Sequence, residues 1–171
     1  MKKVLLILFV IFSTVCTAQD RVSFHDGTTF EGKVVEVKEK AILFIYKGEE
    51  AVNTIGVNAI DKITFSSGRV QKCTEKVIVN SEMDWEKVKV VYDKDEVTGL
   101  KSLGKIEKHS NGAWSFHNST GHYMAKAIKK AKKEAAKRGA FIILVVNEST
   151  EAGGHNKYPD SSIICELFTY K

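Results

Sequence analysis

The 171-residue sequence holds a single proline, Pro159, and no apolar run much longer than nine residues, the stretch Val4 to Phe12. A bilayer crossing takes about 20 such residues, so a transmembrane helix is excluded. Two of its three cysteines, Cys73 and Cys165, stand alone, and no C-x-x-C exists to carry a redox pair or a zinc ribbon. There is no G-x-S-x-G elbow and no cysteine beside a plausible base. Gly153-Gly154 does not open a helix, so no phosphate loop is present. Asp93, Asp95 and Glu96 cluster in "YDKDEV" but lack the glycine and terminal glutamate of a calcium loop. His25-Asp26 and Tyr158-Pro159-Asp160 read as loop residues. The expectation is a protein without catalytic residues or cofactor; an unrecognised hydrolase is the remaining catalytic alternative.

What is present begins with "MKKVLLILFVIFSTVCTAQD". Two lysines, a short apolar core and the small-x-small set Cys16-Thr17-Ala18 have the layout of a secretory signal peptide over residues 1–18. Export follows, to the periplasm first, with secretion or outer-membrane association as alternatives. Val15 and Ser13 suit a lipobox around Cys16 poorly. Loss of Lys2 and Lys3 takes Lys+Arg from 26 to 24 against 21 Asp+Glu, leaving +3. Lys126, Lys129, Lys130, Lys132, Lys133, Lys137 and Arg138 supply +7 within one segment, offset there only by Glu134. The rest of the exported chain is therefore slightly acidic. An exported chain admits a Cys73–Cys165 disulfide; the alternative is two small buried apolar side chains.

Residues 19–72 read as short strands parted by turns, with Asp26-Gly27 as a hairpin signal. Five strands in so short a span suggest a small bent barrel. "F-x-D-G-x-x-x-x-G-x-V-x-x-V" (Phe24 to Val37) followed by "I-x-x-I-x-F-x-x-G" (Ile60 to Gly68) resembles the SH3-like and Sm-like barrels of exported bacterial proteins. The second Sm motif is absent: Phe65-Ser66-Ser67-Gly68 stands where it would lie. Residues 73–84 read as a linker or shared strand, with "KVIVN" closing the barrel or opening the next unit.

Residues 85–171 read as a small α+β domain of order β-β-α-β-β, one helix packed on a sheet. "WEKVKVVYD" is predicted as a strand with Val88 and Val90 on one face, and a second strand as running near Leu103 to Lys108. The loop "NGAWSFHNSTG" follows, then a helix capped by Thr120 with Met124, Ala127, Ile128, Ala131 and Ala135 on a narrow stripe. Gly139 is predicted to end it. "AFIILVVNES" reads as a strand apolar on both faces, and "SSIICELFTYK" as the closing strand. The run from "VTGLKSLGKIE" through "MAKAIKKAKKEAAKRGAFIILVV" resembles the domain shared by the outer-membrane stress sensor of the Rcs phosphorelay and the YbjQ-like heavy-metal-binding proteins. Ala135, Gly139 and Ala140 match best. That sensor carries four disulfide cysteines, and this chain keeps two at most.

The resemblances imply an interaction or sensing module that binds an envelope protein or an anionic envelope component. Trp114 and Phe116, with Lys126, Lys129, Lys130, Lys133 and Lys137, are the candidate partner-binding residues. Export and the lack of aromatics among the lysines exclude nucleic acid. The alternative is transition-metal binding through His109, His117, His122 and His155, although no two form an i, i+4 pair.

Overall fold

The computed structural model describes residues 19–111, 120–151 and 158–171. Strands dominate, in two sheets, and one long helix packs on the second. The first sheet is antiparallel, in the order β4-β3-β2-β1-β5-β6. It comprises β1 (Asp20–Phe24), β2 (Thr29–Val37), β3 (Ala41–Tyr46), β4 (Asn53–Gly56), β5 (Ile60–Thr64) and β6 (Val70–Lys72). Gly27 takes a φ of 93° in the β1–β2 turn, a conformation that side chains resist. The Asp26 carboxylate holds that turn by accepting from the Thr28 N–H at 2.8 Å and its hydroxyl at 2.6 Å. Register slips at Ser23/Phe24 and at Val34/Glu36 place bulges in β1 and β2, which sharpen the bend of the sheet. Val22, Ile42, Phe44, Ile55, Ile60 and Ile63 form its core.

The second sheet has the order β7-β9-β10-β8, from β7 (Lys89–Val91), β8 (Lys101–Asn111), β9 (Ile142–Glu151) and β10 (Asp160–Thr169). Only β7 and β9 pair in parallel. Helix α1 (Thr120–Lys137) connects β8 to β9 with β10 inserted between them. Its alanines Ala127, Ala131, Ala135 and Ala136 are buried against Ile143, Ile163, Cys165 and Leu167. The opposite face of the sheet buries Ile142, Leu144 and Phe168 with Val91, Val97 and Phe141. β9 is thus apolar on both faces from Ile142 to Leu144, and exposed beyond Val145. Gly139 ends α1 with φ 72°: its own N–H bonds to the Ala136 carbonyl, and the Ala140 N–H to that of Ala135. This pair of bonds satisfies carbonyls that the helix leaves open.

Two readings need correction. "WEKVKVVYD" is mostly not strand: Glu82–Lys87 is a short 3-10 helix, and only Lys89–Val91 pairs. The Ser81 side chain accepts from the Met83 N–H, and Asp84 accepts from the Asn80 N–H and pairs with Lys87. Local polar bonds of this kind compete with a strand ladder. "KVIVN" belongs to no strand. Its Val77 and Val79 instead pack on the second core, and the Val77 N–H donates to the Tyr170 hydroxyl at 3.0 Å.

The sheets meet where the 3-10 turn Val57–Ala59 abuts a second one, Lys94–Val97. The Gly56 N–H donates to the Thr98 carbonyl at 2.9 Å. Buried Asn58 donates to the Glu96 carbonyl and accepts from the Lys89 ammonium at 2.7 Å, so both ends of its amide are used. A Cβ on Gly56 would lie 2.6 Å from the Asp95 carbonyl oxygen and 2.7 Å from that of Glu96. Gly56→Ala is therefore expected to cost about 1–3 kcal/mol in urea unfolding, as for other overpacked sites; an unchanged midpoint would mean this contact is loose.

Candidate functional site

Because its alanine stripe is narrow and wholly buried, α1 turns its lysines outward. They fall into two sets. On one flank, Lys129 and Lys132 lie over the half-buried Trp85 ring, with Nζ 4.6 and 5.6 Å from its centroid. The Lys132 ammonium also donates to the Glu86 carbonyl at 3.2 Å. On the other flank lie Lys126, Lys130, Lys133 and Lys137, one ridge by helical spacing. Lys126 sits 5.6 Å from the Tyr123 ring centroid, and Lys130 donates to the His109 carbonyl at 2.8 Å.

Between that ridge and β8 is a recess of about 300 Å³ lined by Glu82, Lys108, Lys130, Lys133, Glu134 and Lys137. Four ammonium groups face two carboxylates. Glu134 is already engaged, by Arg138 at 2.7 Å and Lys108 at 3.5 Å. The hydrogen bond from Arg138 and the nearby Lys108 charge hold its carboxyl below the usual range. It stays ionised, with one cation on each oxygen. Among the described residues, Lys133 and Lys137 have no carboxylate partner.

The histidines do not converge. His109 lies exposed on β8 beside Glu107, at 3.1 Å, and His122 lies exposed on the first turn of α1. Among the described residues, no three His, Cys, Asp or Glu side chains gather into a metal-sized group. His117 and His155, with Trp114 and Phe116, lie outside the described residues. Cys73 and Cys165 are not bridged: Cys73 packs on the first core and Cys165 is buried between the second sheet and α1. Burial raises both thiols, that of Cys165 to about 11, so neither is a ready nucleophile.

His25 is the residue that the sequence misplaced. It is buried at 7% exposure, not a free loop residue. Its Nε2 lies 2.9 Å from the Thr74 hydroxyl, its ring meets that of Tyr170 at 5.2 Å, and its carbonyl accepts from Lys76 at 2.7 Å. Tyr170 in turn stacks on Phe141 at 4.0 Å. Nothing in "FHDG" distinguishes this histidine from a turn residue; only the return of the distant 74–77 and 170 segments buries it. The recess was half legible, since Glu82 and Lys108 come from segments remote from the basic run.

Comparison with protein-family models, with curated proteins and with solved structures finds no match. The geometry alone therefore carries the functional reading.

Burial holds the His25 ring neutral and pushes its protonation below the usual histidine range; Lys76 and Lys72 add to this, while Asp61 and Glu75 oppose it. The unfolded chain takes up that proton near 6.5, so the contribution is complete above that pH and is lost as pH falls through the lowered folded value. Urea unfolding between about pH 7.5 and about pH 5.5 is expected to show stability falling, with a smaller fall in His25→Gln. Parallel pH curves for the two proteins would remove His25 from the account.

Proposed function

We propose that this chain is an exported, non-catalytic cell-envelope protein, an interaction or sensing module that binds an anionic envelope component through the exposed face of α1. The observation that carries this reading is the uncompensated charge of the helix. Lys126/Lys130, Lys129/Lys133 and Lys133/Lys137 are like-charge pairs four residues apart, and each costs about 0.2–0.5 kcal/mol. A merely solvated face would be expected to intersperse glutamates, and α1 has one. A bound polyanion relieves the repulsion and gains from all of these cations together.

Export rests on the signal-like pattern of residues 1–18, which lie outside the described residues. No helix among the described residues is long and apolar enough to cross a membrane. The SH3/Sm-like barrel reading of residues 19–72 is supported by one distance argument. β4 and β5 are four strand spacings apart in sheet order, about 19 Å if the sheet were flat. Yet a three-residue 3-10 turn joins them, reaching about 8 Å. Curling the sheet until its β4 edge approaches β5 resolves the difference. The likeness of residues 85–171 to the envelope stress-sensor domain is supported by the pairing of one alanine-faced helix with Gly139 and Ala140 at its end. No observation favours the metal-binding alternative or a hydrolase.

Cosedimentation with phosphatidylglycerol vesicles is the direct test, against phosphatidylcholine vesicles as the neutral surface. Binding is expected only to the former, weakening steeply with salt because exposed charges are screened. Lys126→Glu with Lys133→Glu is expected to weaken it about tenfold or more, while leaving the helix at least as stable. Equal binding to both vesicles, or none to either, would contradict the reading.

A further inference from the structure

We propose that the recess between α1 and β8 is a discrete seat for a phosphomonoester group; this rests on the anion-binding reading and gives it a ligand class. Lys108, Lys130, Lys133 and Lys137 against Glu82 and Glu134 leave the recess at +2. A phosphomonoester carries about −1.5 to −2 at neutral pH, and a phosphodiester one charge fewer. The monoester therefore matches the recess charge and the diester does not.

Three further features suit this ligand. The recess holds about 300 Å³, room for a phosphate and part of the sugar or glycerol that bears it, and too small for an extended polymer. Its floor comes from two unlike elements, Lys108 from β8 and the three lysines from α1, so the cations approach a ligand from different sides. Lys108 is only 30% exposed and is fixed by Glu134, whose other oxygen is held by Arg138. One cation is thus positioned before a ligand arrives, while Lys133 and Lys137 remain free to close on it. Lysines act as point charges and do not fork onto two oxygens as arginine does, so recognition is by charge and fit. The same chemistry is present in a phosphorylated sugar of an envelope glycolipid and in a soluble sugar phosphate.

The test is an amide and side-chain NMR titration of the exported chain with inorganic phosphate, and in parallel with dimethyl phosphate as the monoanionic diester. Saturable shifts are expected at Lys108, Lys130, Lys133 and Lys137, and about tenfold weaker binding of the diester. Affinity for phosphate is expected to rise with pH as its second proton leaves, and affinity for a phosphomonoester such as glycerol phosphate to rise through about 6. Lys133→Gln with Lys137→Gln is expected to remove the saturable component. Equal affinity for the two anions, or shifts spread evenly over Lys126 and Lys129 as well, would overturn the seat and show a diffuse cation face. In that case retained binding to phosphatidylglycerol vesicles keeps the broader reading, and its loss removes both. Phosphatidylcholine vesicles carrying phosphatidic acid separate the sources. If they displace inorganic phosphate from the recess, the monoester is read on a lipid surface; if they leave it bound, it is read in solution.

Discussion

How closely α1 can lie on the second sheet is set by four alanines, and the rest of the C-terminal half depends on that contact. Ala127, Ala131, Ala135 and Ala136 are buried to within 1% exposure, directly over Ile143, Ile163, Cys165 and Leu167. The alanines bury little area themselves. Their value is in letting the helix cover the sheet residues, each worth about 1.5–3 kcal/mol when removed from water. A helix held this close shows the sheet a narrow stripe, and its lysines are left on the other sides. Crowding of the six lysines of α1 onto its outer side is therefore a consequence of packing as well as of composition.

That contact also ties the fold to the recess. Lys108 reaches Glu134 only because β8 lies under α1, and Arg138, four residues on along the helix, meets the same carboxylate. On the other side of the sheet, the Gly56–Thr98 bond and the Asn58 amide join the first sheet to the second. These are polar contacts in a buried setting, where an unsatisfied group costs more than a made bond returns. The joint is consequently specific in geometry.

Features with a local cause were legible in the sequence. Asp26-Gly27 marked its hairpin, the three- and four-residue spacing of the alanines marked the buried side of α1, and Gly139 marked its end. All depend on neighbours within a few residues. The 3-10 helix at Glu82–Lys87 was hidden because the alternating valines of "WEKVKVV" imitate a strand, while the deciding bonds come from Ser81 and Asp84. His25 was hidden for a different reason: its burial comes from residues 49 and 145 positions away. The lysines of the candidate site could be named from sequence, but not the recess, which needs Lys108 and Glu82 folded back beside them.

The most direct measurement is the unfolding free energy of Ala131→Leu compared with Lys133→Gln, two residues apart on opposite faces of α1. If close alanine packing governs this half of the protein, the added volume in Ala131→Leu lowers stability by about 1–3 kcal/mol. Lys133→Gln, which removes only like-charge repulsion, then leaves it unchanged or raises it by a few tenths, on the order of a single helix pair. A neutral Ala131→Leu would mean that the helix rests loosely on the sheet, and would contradict both the packing and the recess built upon it.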